Sequence, residues 1–164
     1  MGHQQAQDAT TLLQAQLSDR HHAEGVKIIS SPLARAQETA VPLAKHLDES
    51  PTIEARVAEL PSPANLNLKD RGPWLHATLK GSWSETSPEI QEWRENIIST
   101  LLSQKHHCAI FTHFVVINAV VSYLQKSDKV LSFLPDNASC THLRLSQGKL
   151  SLLSLGVEDK TVIN

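Results

Sequence analysis

Uninterrupted apolar runs, glycine fingerprints, cysteine frameworks and an excess of either charge are all missing from this sequence, and each shortage removes a class of protein. The most apolar stretch, Ala109 to Leu124, is about as long as a short membrane span but is broken by Thr112, His113, Asn118 and Ser122. It reads as buried core, and no membrane partner is expected. The 15 Lys and Arg nearly balance the 17 Asp and Glu, for a formal net charge of −2. Nucleic acid and anionic lipid both need a concentrated basic surface, so neither has an electrostatic case as a partner, and any phosphate site must be local. None of the 6 glycines forms a dinucleotide or Walker fingerprint after a strand, so no organic cofactor is implied. The only two cysteines, Cys108 and Cys140, both fall in segments predicted as strands and have neither disulfide nor zinc-knuckle spacing, so reduced, buried thiols are expected. Met1 to Leu17 lacks the basic start, apolar centre and cleavage site of a secretory signal, which points to the cytoplasm.

What is present is the makeup of one domain. The 164 residues, 40% of them apolar, are expected to form a single unit over 1–164 that buries roughly two-thirds of its unfolded surface. Ala6, Ala9, Leu12, Leu13 and Leu17 recur at helical spacing, so the chain opens inside a helix with no strand before it. Val26 to Ile29 is a buried strand stopped at Ser30, Ser31 and Pro32, and Ala36, Ala40, Leu43, Ala44 and Leu47 line the helix that follows, with a kink expected at Pro42. Pro51 to Arg56 is a short strand or edge. Leu60 to Glu85, with its prolines, Trp74 and Trp83, is predicted as a long, substrate-facing loop. Ser87 is expected to cap a helix that has Pro88 at its first position and Ile90, Trp93, Ile97 and Leu101 as its buried stripe. His107 to Thr112 is a second buried strand leading into a helix over Phe114 to Leu124. Cys140 to Leu145 and Leu150 to Leu155 flank Gln147 and Gly148 as a hairpin at the sheet edge. Alternating strands and helices predict a three-layer α/β/α sandwich with a mostly parallel central sheet and a site at the carboxyl ends of the strands.

Two polar corners stand at such ends. In Ser30, Ser31, Pro32, Leu33, Ala34 and Arg35, strand-end hydroxyls meet the free donors of a helix start, a cradle for an anion. Arg35 in the first helical turn works against the macrodipole unless an anion sits in front of it; a plain surface arginine is the alternative. His113 ends the second buried strand, where it is either a titrating donor or a satisfied core histidine. Glu59 leads into the Pro61 and Pro63 loop, as a carboxylate over the same strand ends or as a solvated loop acid.

The string from Ser30 to Ala40 resembles the phosphate-binding corner of the histidine phosphatase superfamily, the family of the cofactor-dependent phosphoglycerate mutases. Glu59 and the histidine of Phe111, Thr112, His113, Phe114 follow in the order of that family. The helix bearing Gly2, His3, Gln4, Gln5 and Ala6 resembles the segment after the family's first strand, so the likeness spans almost the whole chain. Glu59 to Pro63, Arg71 to Leu75, Glu92 to Arg94 and Pro135 to Asn137 echo a bacterial branch.

The resemblance implies a phosphoglycerate mutase-like sandwich and a phosphomonoesterase that works through a phosphohistidine. It gives Arg35 the part of a phosphate arginine beside Ser31, Glu59 that of the acid protonating the leaving oxygen, and His113 that of a phosphate-pocket histidine. The long loop with Trp74 and Trp83, together with Arg71, is either a cover over the substrate or a structural lid that completes the core; the partner implied is a small phosphorylated metabolite or phosphate, with no metal. The family's first strand ends in Arg, His, Gly, whose histidine attacks phosphorus, and this sequence contains no such triplet. His3 lies on the wrong side of the missing turn, His21 and His22 sit in a polar connection, and His106 and His107 open the second strand. The first strand is therefore expected to be missing, with a start at an internal methionine or a truncated gene, and turnover is expected to be negligible. Omitting a central strand forfeits about 1.5 to 3 kcal/mol for each buried apolar side chain. The competing readings are a non-catalytic phospholigand or partner-binding pseudophosphatase, and a metal site built from His106, His107, Cys108 and His113; oligomeric state is left open.

Overall fold

The computed structural model describes residues 2–17 and 25–158. Three strands, β1 (Val26–Ser30), β2 (Thr52–Ile53) and β3 (His107–Phe111), form a parallel sheet in the order β2-β1-β3. The central position of β1 accounts for its near-continuous apolar run, since a strand paired on both sides and covered on both faces has little polar surface to match. Val26, Ile28, Ala109 and Phe111 face one layer, where they pack with Ala36, Ala40 and Leu43 of α2 (Ala34–Leu47) and with Leu13 of α1 (Gly2–Gln16). Ile29 and Ile110, one position along each strand, point to the other face. A second apolar cluster is built by α4 (Pro88–Leu102) and α5 (Phe114–Leu124) around Trp83, Ile97, Val116 and Val130. The result is the expected α/β/α sandwich.

The carboxyl-terminal hairpin, β4 (His142–Ser146) and β5 (Lys149–Ser154), turns through Gln147 at φ 50° and Gly148 at φ 73°. Two successive positive φ values match the twist of a two-residue hairpin and favour glycine at the second place. The hairpin does not extend the sheet, contrary to expectation: it is a two-stranded sheet of its own, and β1 and β3 pair directly. Among the described residues, no strand pairs with the second edge of β3 or the outer edge of β4.

Other expectations are corrected as well. The segment from Leu60 to Glu85 is not a structureless loop, because it holds α3 (Arg71–Lys80) between single 3-10 turns at Leu68–Asp70 and Trp83–Glu85. Gly72 and Pro73 read as breakers, yet they occupy the first helical turn, where a missing N–H costs nothing. Cys140 lies outside β4, two residues after Ala138 turns the chain at φ 58°. The Ser87 hydroxyl does not cap α4; it bonds the Glu89 carboxylate instead and lowers its pKa, while the Ser87 carbonyl accepts from Ile90 and Gln91. On α1, Leu12 is exposed and Thr10 is buried, its hydroxyl donating to the Ala6 carbonyl at 2.9 Å. Among the described residues, no helix is long and apolar enough to cross a membrane.

Candidate functional site

The carboxyl ends of β1 and β3 bring Ser31, Arg35, Glu59 and His113 together. Parallel pairing aligns Ser30 with Phe111, and the Ser31 N–H donates to the Phe111 carbonyl at 2.9 Å, so the two polar corners leave the sheet side by side. Ser31 is fully buried, and its Oγ accepts from the Leu33 N–H at 3.2 Å, which fixes the start of α2. The same oxygen lies 2.7 Å from Nε2 of His113. The Ser31 oxygen has a second lone pair beside the one that accepts from Leu33, so its bond with Nε2 runs in the direction that the imidazole tautomer sets. Nδ1 is 3.7 Å from Oε2 of Glu59, and that carboxylate oxygen accepts from Arg35 at 3.2 Å. The cation at the start of α2 thus has an anion before it, which offsets its conflict with the helix dipole.

Glu59 is held from several directions. Its Oε1 accepts from the Leu60 N–H at 3.1 Å. The preceding 3-10 turn, Ala55–Val57, is tied to β3 by the Thr112 hydroxyl donating to the Val57 carbonyl at 2.6 Å. It is tied to α4 by the indole N–H of Trp93 donating to the Ala58 carbonyl at 3.2 Å. Trp93 was expected as part of a core stripe and of the Glu92 to Arg94 echo, and Thr112 as a strand end. Nothing local marks them as positioning residues, because their partners lie 35 and 55 positions away.

Burial, followed by the Arg35 cation, holds His113 well below the ordinary imidazole pKa, at about 4. The ring is 4% exposed, and Glu59 stands beyond hydrogen-bonding distance of it. At neutral pH His113 is therefore an uncharged donor and acceptor. Arg35 carries the positive charge of the corner, and more than half of its side chain is open to solvent.

These residues open onto a cavity of about 1420 Å³ lined by Arg35, Glu59 and His113 and also by His3, Asp136 and Asn137. Arg71 and Trp74 do not line it; Trp74 packs against the α4–α5 cluster. His106 and His107 lie at the amino end of β3, away from the corner, and His21 and His22 lie outside the described residues. Among the described residues, no group of three or more His, Cys, Asp or Glu side chains is placed to hold a metal ion. The cysteine thiols are raised above their ordinary pKa by burial.

A parallel sheet thus brings an arginine, a carboxylate and a neutral histidine together at its strand ends. The model of the histidine phosphatase superfamily (branch 1) matches residues 1–158, and the chain belongs to that family. Solved structures share the fold. A mycobacterial glucosyl-3-phosphoglycerate phosphatase is 19% identical with a TM-score of 0.64, the match covering 96% of this chain and 86% of that one. The same enzyme is also known in complex with inorganic phosphate, at 19% identity and a TM-score of 0.65 over 95% of this chain and 85% of that one. A phosphoserine phosphatase from Entamoeba histolytica, in complex with 3-phosphoglyceric acid, is 18% identical with a TM-score of 0.68, covering 94% and 81%. No curated protein matches the sequence.

Proposed function

We propose that this chain carries a phosphomonoester site of the histidine phosphatase type and, as it stands, binds a small phosphorylated metabolite in the cytoplasm without turning it over. The observation that carries this reading is the convergence of Ser31, Arg35, Glu59 and His113 within one hydrogen-bonded corner. Arg35 is the group that exchanges partners. Its guanidinium leaves a monodentate contact with Glu59 for the oxygens of a phosphate dianion, where a planar fork gains a second bond. His113 donates one hydrogen bond, and an arriving dianion favours its protonation. Glu59, released from Arg35, is placed to hold the proton for the leaving oxygen. The covalent route needs a nucleophilic histidine presented by a strand end. The sequence has no Arg-His-Gly triplet, and His3, which lines the cavity, belongs to α1.

Titration with inorganic phosphate followed by calorimetry, together with a p-nitrophenyl phosphate assay, tests the proposal. Saturable binding that weakens about tenfold or more in Arg35→Ala, with no hydrolysis above buffer, is expected. Binding indifferent to Arg35→Ala overturns the site. Hydrolysis abolished by His3→Gln overturns the assignment as a non-catalytic binder.

A further inference from the structure

Glu59 projects from an irregular stretch between the 3-10 turns at Ala55–Val57 and Leu68–Asp70. A side chain on such a segment keeps its place only where the residues around it are fixed by the scaffold. Both neighbours of Glu59 are fixed, and from the same side. The Ala58 carbonyl accepts from the Trp93 indole at 3.2 Å, and the Leu60 side chain is buried in the cluster that contains Trp83.

Trp93 is only half-buried, and what sets its ring is Trp83. The two ring centroids are 6.4 Å apart with the planes tilted by 32°, within the range of a favourable aromatic pair. Trp83 has its own restraints. Its backbone N–H donates to the Asp128 carbonyl at 2.7 Å, its indole N–H to Ser122 Oγ on α5 at 2.8 Å, and the Arg94 guanidinium covers its ring at 4.7 Å. Arg94, the neighbour of Trp93 on α4, donates to the same Ser122 oxygen at 3.2 Å. The turn that bears Trp83 is fastened on either side, Val130 donating to the Gly81 carbonyl at 3.2 Å and the Ser84 N–H to Asp128 Oδ1 at 3.0 Å. A tryptophan that only fills volume needs a partner for its N–H and nothing more. Trp83 also gives Arg94 a face to rest on and Trp93 a ring to stand against.

We propose that Trp83 is a positioning residue for Glu59 and acts through Trp93: the aromatic pair fixes the indole that holds the Ala58 carbonyl, and so the carboxylate one residue on. This role rests on the reading of the corner as a phosphate site, in which Glu59 must reach both Arg35 and His113. Its Oε2 stands 3.2 Å from Arg35 and 3.7 Å from Nδ1 of His113. A displacement of about 1 Å breaks the first contact, so a shift of the Ala58 peptide is felt at the corner.

Two readouts follow Glu59: exchange of the Leu60 amide, which donates to its Oε1 at 3.1 Å, in the ligand-free chain, and the affinity for inorganic phosphate. Trp93→Phe removes the donor and keeps a ring; it is expected to speed Leu60 exchange and to weaken phosphate binding, each about threefold. Trp83→Leu should do the same while lowering the urea midpoint. Added to Trp93→Phe, it should lower the midpoint again but change neither readout further. Trp83→Phe, which keeps a ring against Trp93, should restore both. Val130→Ala, a truncation in the same cluster, should lower the midpoint and leave both readouts at the parent values. Unchanged Leu60 exchange in Trp93→Phe overturns the proposal whatever becomes of Trp83→Leu. Additive changes in the double variant, or equal changes in Val130→Ala, make Trp83 a core residue only and overturn it as well. If Trp83→Leu does not fold, Ser122→Ala removes the partner of the Trp83 indole; faster Leu60 exchange then supports the role and unchanged exchange overturns it. Phosphate bound equally well by Arg35→Ala overturns the phosphate site instead, and the Leu60 amide still decides whether Trp83 places Glu59.

Discussion

Trp83, Ile97 and Val130 are 2%, 0% and 0% exposed in the half of the molecule built on α4 and α5, whereas in the other half α1 and α2 bring mostly small residues, Ala6, Ala9, Ala36 and Ala40 beside Leu43, to Val26, Ile28 and Phe111 of the sheet; both halves border the cavity. The first half is also locked by polar contacts. The Trp83 indole donates to Ser122 Oγ at 2.8 Å, Arg94 lies 4.7 Å over the Trp83 ring, and Asp128 accepts from the Trp83 and Ser84 backbone. A core of large side chains locked by polar contacts loses much when truncated, while one to which the helices contribute mostly small residues has less to lose. The phosphate corner straddles the two: Ser31 and Arg35 belong to the loose half, and Glu59 is anchored through Trp93 to the tight one.

Trp83→Ala is therefore expected to cost about 3–5 kcal/mol in urea denaturation, against about 2–3 kcal/mol for Leu43→Ala in α2. A larger loss for Leu43→Ala inverts the comparison. The next largest effect is on pH. An unfolded imidazole takes a proton near pH 6.5, but His113 in the folded chain does so only near 4, so the unfolded state binds the extra proton between these values. Stability is full above about pH 6.5 and falls as pH drops through 4, by on the order of 3 kcal/mol. Denaturation curves of His113→Gln across that window should show the slope reduced by one proton, and an unchanged slope places the titration elsewhere. Arg35→Ala should weaken phosphate binding about tenfold while shifting stability by less than about 0.5 kcal/mol, since its pair with Glu59 is largely solvent-exposed. A larger stability loss makes Arg35 a structural member of the loose half. The smallest effect belongs to Thr112→Val, which removes the bond to the Val57 carbonyl and should cost about 1 kcal/mol. It should also weaken phosphate binding modestly; intact binding means that the Trp93 contact positions Glu59 alone.

The corner itself was legible in the sequence because Ser31 and His113 mark strand ends, one beside a proline and the other after an apolar run, and because the string from Ser30 to Ala40, with Arg35, and the later Glu59 resemble a known phosphate site. The α1, β1, α2, α4 and α5 segments followed from apolar periodicity. α3 was missed because the signals that punctuate loops, Gly72 and Pro73, also suit the first turn of a helix. The hairpin was found from its turn but assigned to the wrong sheet, since local pattern determines that Leu145 faces Leu150 and says nothing of which strand lies beyond. Arg71 and Trp74 were read as a loop, either over the substrate or completing the core; the segment is helical, and Trp74 packs against the α4–α5 cluster.

The register of the sheet bears on the order in which the chain folds. β1 pairs with β3 by joining Val26 to His107, about 80 positions along the chain, whereas β4 and β5 close through a two-residue turn. Closing the long loop costs entropy before any contact rewards it, and the short one costs little. The hairpin and the helices around Trp83 should therefore form first and the β1–β3 ladder last. The phosphate corner, made where that ladder ends, would be among the final parts of the molecule to become ordered during folding.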